Sequence, residues 1–180
     1  MGVPKTIDAK AVKAALERLA SGIAERHGSA SSLWLLGVAN GGVPVAERLK
    51  QALEEKGLEP CLGTVDISFH RDDIGRHPIP KEFKPTSLPG DVAEATVILV
   101  DDVLFTGRTI KAALDELFDH GRPARVELAV LADRGGRTLP IAPDYVGLKV
   151  EAGATENVAV KLDPAAPEND VIRIAKNGTP

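Results

Sequence analysis

Val97-Ile98-Leu99-Val100-Asp101-Asp102-Val103-Leu104-Phe105-Thr106-Gly107-Arg108-Thr109-Ile110 decides the reading of this chain. Four apolar residues run into the paired carboxylates Asp101 and Asp102, and Thr106 to Thr109 lead into an apolar-periodic stretch that begins at Ile110. The spacing predicts a buried strand over 97–101, a short acidic loop and a helix over 109–120. Each part has a chemical use. The helix start offers unpaired N–H groups and a positive dipole end, so Thr106 to Thr109 suit a phosphate. Gly107 permits close backbone approach, and the hydroxyls and Arg108 add donors. The acids just upstream suit sugar hydroxyls and the water shell of Mg²⁺. Together these features imply a phosphorylated ribose as ligand.

Outward from that stretch, helix and strand patterns alternate. Asp8 is the expected N-cap of a helix from Ala9 to about Arg26, with Val12, Leu16, Leu19 and Ile23 at helical spacing. Residues 33–38 read as a buried strand, and Val43 to about Lys56 as a helix ended at Gly57. Residues 64–69 alternate like a strand, with Val65, Ile67 and Phe69 on one face. Residues 71–94, rich in proline and charge, read as a long excursion with room for a small hairpin. Further strands are expected over 125–131, 144–150 and 156–162, and 171–174 should pair at an edge. Such alternation implies one α/β domain over residues 1–180, with a parallel sheet and a ligand crevice beyond the carboxyl ends of its strands.

Composition sets the outer bounds. A chain of 180 residues, 43% hydrophobic and 27% charged, suits one soluble globular domain with a real core. The single Cys61 excludes an intrachain disulfide and fits a reducing compartment. No apolar run reaches membrane-spanning length and the N-terminus lacks a leader's apolar core, so no membrane association and a cytoplasmic location are expected. A net charge of −4 argues against broad nucleic-acid binding. A second glycine-rich turn, Gly37 to Val43, stands between a strand and a helix, and its Asn40-Gly41-Gly42 leaves N–H groups free to line an anion site. His27, His70, His77 and His120 lack metal-ligand spacing and are expected to be solvated or structural.

Residues 100–109 resemble the phosphoribosyl-pyrophosphate (PRPP) signature of type I phosphoribosyltransferases. Three more segments resemble the PyrR family, pyrimidine-operon regulators that are also uracil phosphoribosyltransferases. They are Asp66-Ile-Ser-Phe-His-Arg-Asp-Asp73, His120-Gly-Arg-Pro123, and residues 128–141 followed by Asp144-Tyr-Val-Gly147. The resemblance implies the type I phosphoribosyltransferase fold, a central, mainly parallel sheet flanked by helices, with a hood excursion at about 71–94. It also implies roles. Asp101 and Asp102 would act on the ribose hydroxyls and the metal's water shell. The PRPP loop would continue through Val103, Leu104 and Phe105 to Thr106, Gly107, Arg108 and Thr109, which hold the 5′-phosphate. Asn40 and Gly41 would face pyrophosphate, with Mg²⁺ making up for the basic residue that many relatives carry there. Arg71, Asp72 and Asp73 would begin the hood. Arg134, Arg137 and the backbone near Val150 would form the base pocket, where main-chain groups match uracil's donor between two acceptors. Phe105 stands where 6-oxopurine enzymes carry an aspartate, which counts against hypoxanthine or guanine.

The implied reaction breaks the C1–O bond of PRPP through an oxocarbenium-like state. A uracil nitrogen then takes C1 with inversion, giving UMP and pyrophosphate. Pyrimidine-operon mRNA and at least one further copy of the chain are the implied macromolecular partners. The alternatives are a non-catalytic, nucleotide-sensing RNA-binding regulator and a transferase for another base. Lys10, Lys13, Arg18 and Arg26 interleave with Asp8, Glu17 and Glu25, a solvated helix face without the basic stripe that many RNA phosphate contacts need. The complete signature favours catalysis.

Overall fold

The chain forms β1 (Lys5–Ile7), α1 (Ala9–His27), β2 (Leu33–Val38), α2 (Gly42–Glu54), β3 (Cys61–Val65), β4 (Thr96–Leu104) and α3 (Arg108–Asp119). Four strands follow: β5 (Arg125–Asp133), β6 (Tyr145–Lys149), β7 (Glu156–Lys161) and β8 (Val171–Lys176). These elements come from a computed structural model, which describes residues 5–28, 32–68, 70 and 85–176. Strands β3-β2-β4-β5-β6, in that order, make one parallel sheet. Leu33, Leu35, Ile98, Val100, Ala129 and Leu131 pack on one face with α1 and α2. Trp34, Leu36, Val97, Leu99, Leu128 and Val130 pack on the other with α3. Burial on both faces is why these strands read as unbroken apolar runs. The expected central parallel sheet flanked by helices is present.

Helix α1 follows its expected pattern: Asp8 Oδ1 accepts the Ala11 N–H at 2.9 Å, and Val12, Leu16, Leu19 and Ile23 are buried. The strand expected over 64–69 lies earlier. β3 pairs Cys61 to Val65 with Trp34 to Val38 of β2, its neighbour in the sheet, and stops where β2 stops. Asp66 Oδ1 then turns the chain by accepting the N–H and hydroxyl of Ser68 at 3.0 and 2.6 Å. Phe69 and residues 71–84, including most of the expected excursion, lie outside the described residues. Residues 85–94 are irregular, with Ser87 bridging back to Thr64.

β4 runs three residues past its expected end. The anticipated acidic loop is strand because β5 extends beside it, pairing Val103 with Ala132 and Leu104 with Asp133. A second, antiparallel sheet of order β1-β8-β7 adds Val158, Ile172 and Ile174 to the α1/α2 side of the core. Residues 171–174 do pair, but in this separate sheet and between two strands. β1 was not anticipated, since three residues carry no readable period. Among the described residues, no helix is long and apolar enough to cross a membrane.

Candidate active site

The chain passes from β2 to β3 on one side, and β4 then lies on the other side of β2. Strand order therefore reverses between β2 and β4, which opens a crevice at their carboxyl ends. Both loops singled out in the sequence stand there. A Cβ added to Gly41 would come within 2.5 Å of the Asp102 carboxylate, and one on Gly42 within 2.1 Å of the Val100 carbonyl oxygen. The glycines of this turn thus serve a close approach, and they set its backbone directly against the acid pair. The Ala39–Asn40 peptide is cis.

Asp101 is buried, and its Oδ1 accepts the Asp102 N–H at 3.0 Å, while Asp102 Oδ1 accepts the Val103 N–H at 2.8 Å. Burial pushes the Asp101 carboxyl well above the usual carboxylate range, and the neighbouring Asp102 charge adds to the effect. Burial also raises Asp102. Among the described residues no basic side chain forms an ion pair with either. A buried acid beside a partly buried one, with no ion pair to either among the described residues, favours a positively charged or hydroxyl-rich ligand.

The helix starts tell a consistent story. α1 carries a side-chain cap, whereas α2 at Gly41 and α3 at Gly107 have no side-chain cap hydrogen bond. The two starts whose N-cap residue makes no side-chain bond are the two at the crevice, where helix N–H groups and the dipole end favour anions, and at α3 the Arg108 N–H also reaches Thr106 Oγ1 at 3.4 Å. Gly107 has φ +93, and a Cβ there would press on Ile141 at 3.0 Å.

Residues 134–141 cradle the Leu104–Thr106 turn, a role that sequence reasoning missed. Arg137 donates to the Phe105 carbonyl at 2.8 Å and the Ile141 carbonyl at 3.1 Å, and pairs with Asp133 at 2.7 Å. The Thr138 and Leu139 N–H groups donate to the Thr106 carbonyl at 3.0 and 3.1 Å. Arg134 stacks its guanidinium 3.9 Å from the Phe105 ring centroid, and its Nε is buried without a hydrogen-bond partner. Arg134 and Val150 line a neighbouring cleft of about 720 Å³ with Lys5, Lys149 and Glu156, but Arg137 does not line it. The Val150 N–H is taken by the Asp133 carbonyl at 2.8 Å. The paired Gly135 and Gly136, at φ +67 and +73, were the available signal for this tight return. Arg71, Asp72, Asp73 and His77 lie outside the described residues.

Gly41→Ala is expected to reduce PRPP-dependent turnover by at least about tenfold while changing stability by roughly 1–3 kcal/mol, because the new methyl displaces the Asp102 carboxylate. Steady-state kinetics beside thermal unfolding checks this. An unchanged turnover would show that the turn does not position the acid.

Residues 5–164 match the family model described as phosphoribosyl transferase domain. A bifunctional protein PyrR from Roseiflexus sp. (strain RS-1) is 46% identical over 164 residues, covering 90% of this chain and 89% of the relative. Another from Listeria monocytogenes serotype 4b (strain CLIP80459) is 44% identical over 178 residues, covering 95% and 96%. Among solved structures, the hypoxanthine phosphoribosyltransferase of Trypanosoma cruzi superposes with a TM-score of 0.69 at 18% identity, covering 94% of this chain and 95% of that one. This chain belongs to the phosphoribosyl transferase domain family and, within it, to the PyrR group. The type I fold read from the sequence is borne out.

Proposed function

We propose that this protein transfers the phosphoribosyl group of PRPP to uracil, releasing UMP and pyrophosphate. The observation that carries the reading is the convergence at one crevice of the acid pair, the Gly41–Gly42 backbone and two helix starts without a side-chain cap. PRPP is a diol between two phosphate groups, and each part has its counterpart. Asp101 and Asp102 hold the ribose hydroxyls, residues Val103 to Thr109 wrap the 5′-phosphate, and Asn40 and Gly41 face the pyrophosphate. Asp101 and Asp102, with no ion pair to either among the described residues, would meet the water shell of Mg²⁺, which would neutralise charge on the leaving pyrophosphate. The same carboxylates stabilise positive charge growing on the ribose ring.

Arg134 and the main chain around Val150 receive the base. Arg134 lines the cleft and offers its guanidinium to a uracil carbonyl, and Arg137 acts by holding the turn beneath Phe105. Phe105 leaves no proton-exchanging group ahead of Thr106, which disfavours purines. The relatives are named bifunctional. That likeness supports a second proposed role beside catalysis: binding of pyrimidine-operon mRNA tuned by UMP or PRPP, by a cytoplasmic homodimer or larger assembly.

The test is conversion of radiolabelled uracil to UMP with PRPP and Mg²⁺, with hypoxanthine, guanine and orotate as competitors. UMP formation indifferent to those bases is expected. Preferential consumption of a purine or orotate would overturn the base assignment, and consumption of no base would overturn the enzyme reading.

A further inference from the structure

α3 presents Glu116 with Asp119 and His120 at spacings of three and four, on neighbouring parts of one helix face. The group that meets them comes from far away in the chain. His70 follows the exit of β3, and its Nε2 lies 3.0 Å from Glu116 Oε2 and 3.3 Å from Asp119 Oδ2. One donor atom from each of the three residues lies within 4.8 Å of the others. A single imidazole nitrogen has one direction in which to offer a proton or a lone pair, yet two carboxylates face it. Donors held about 2.0–2.2 Å from a cation at tetrahedral to octahedral angles stand roughly 2.8–3.6 Å apart. The two spacings to His70 fall in that range, and the two carboxylates lie within 4.8 Å of each other.

The surroundings hold the central carboxylate in place. Glu116 Oε1 accepts the Thr86 hydroxyl at 2.5 Å and meets His120 Nε2 at 3.2 Å, while Thr86 Oγ1 accepts the Asp66 N–H at 3.0 Å. Such outer contacts orient metal-binding carboxylates. The cluster is not part of the crevice. Glu116 lies about two and a half turns along α3 from Gly107, roughly 13 Å at about 1.5 Å per residue.

We propose that His70, Glu116 and Asp119 form a site for one divalent first-row transition metal, zinc above all, separate from the PRPP crevice. One imidazole and two carboxylates make a mixed donor set that takes Zn²⁺ or Co²⁺, with water completing the shell. Mg²⁺, which prefers oxygen ligands and keeps its waters, competes poorly. A bound ion would fasten the exit of β3 to the end of α3.

The experiment uses chelator-stripped full-length protein in excess Mg²⁺. Zn²⁺ uptake is followed by calorimetry and metal analysis, Co²⁺ by its visible absorption, and unfolding is followed with and without Zn²⁺. We expect one equivalent bound at micromolar concentration and a rise in melting temperature with Zn²⁺. His70→Gln and Asp119→Asn should each weaken uptake at least tenfold and abolish that rise, while Asp101→Asn retains both. Asp119 is largely exposed, so its variant reports even if His70→Gln folds poorly. No uptake, uptake indifferent to Asp119→Asn, or uptake lost in Asp101→Asn would each overturn the proposal. Uracil turnover is a separate readout, so failure of the transferase reading leaves this result intact.

Discussion

Asp101→Asn is expected to lower uracil turnover by about 10²–10³-fold, the usual loss when one preorganised charged group is removed from a reacting centre. The same change should raise the melting temperature of the ligand-free protein. Burial holds the Asp101 carboxyl well above its ordinary range, so the folded state binds a proton more readily than the unfolded chain does. A group shifted this way weakens folding as pH rises from the ordinary carboxylate value through the raised one. The asparagine has no charge to bury, and its amide oxygen can still accept the Asp102 N–H. The variant's stability advantage should therefore be full at alkaline pH and shrink as pH falls toward about 4. Scanning calorimetry across pH, beside kinetics, checks both halves. A variant both inactive and less stable at high pH would mean that Asp101 is a structural anchor instead.

Glu127→Ala should do the reverse: a large loss of stability with little change in chemistry. Glu127 is almost fully buried on β5. Its carboxylate accepts from Tyr145 at 2.6 Å, Arg125 at 2.5 Å, His27 at 2.8 Å and Arg26 at 3.1 Å. Burial alone would raise its pKa, but these hydrogen bonds outweigh burial and bring it down to about 2. Removing the carboxylate leaves the buried Tyr145 hydroxyl and the mostly buried His27 ring without their acceptor, while the half-exposed Arg26 and Arg125 turn to water, at about 3–5 kcal/mol in all. At about 2–4 °C per kcal/mol for a chain of this size, the melting temperature falls by roughly 6–20 °C. The cluster sits at the amino ends of β5 and β6, opposite the crevice, so turnover at room temperature should stay within about twofold. Its sign with pH is that of a depressed carboxyl: the stabilisation is complete above 4.5, the ordinary value, and is lost as pH falls toward about 2. Acid unfolding that is identical in wild type and variant would remove Glu127 from this role.

The contrast between these two acids marks what the sequence makes legible. Asp101 and Asp102 are readable because their context is local, an apolar strand before them and a Thr-Gly helix start after them. Glu127 reads as one polar position in an apolar strand, and nothing near it in sequence announces Arg26, His27 or Tyr145. The same holds for His70. Its partners on α3 become neighbours only through the packing of β3 against that helix, so spacing alone placed all four histidines as solvated or structural. His27 does serve a structural pair with Glu127. The paired glycines flagged the turn after β2, but not that Gly41 would abut Asp102. The end of β4 was misplaced for a related reason, since its extra residues are held by β5 rather than by their own propensity.

β1 and β8 run antiparallel with Lys5 opposite Ile174, so the start of β1 lies about one strand spacing, ~4.8 Å, from a residue two short of the end of β8. The described chain is therefore nearly a ring, cut at one edge of its smaller sheet. A short flexible linker from Lys176 to Lys5 would close that ring. New ends could be opened at Gly57, where φ is +82 and a Cβ would touch nothing within 4 Å. Such a circular permutant would carry the glycine turn after the acid pair in sequence while leaving both at the same crevice in space.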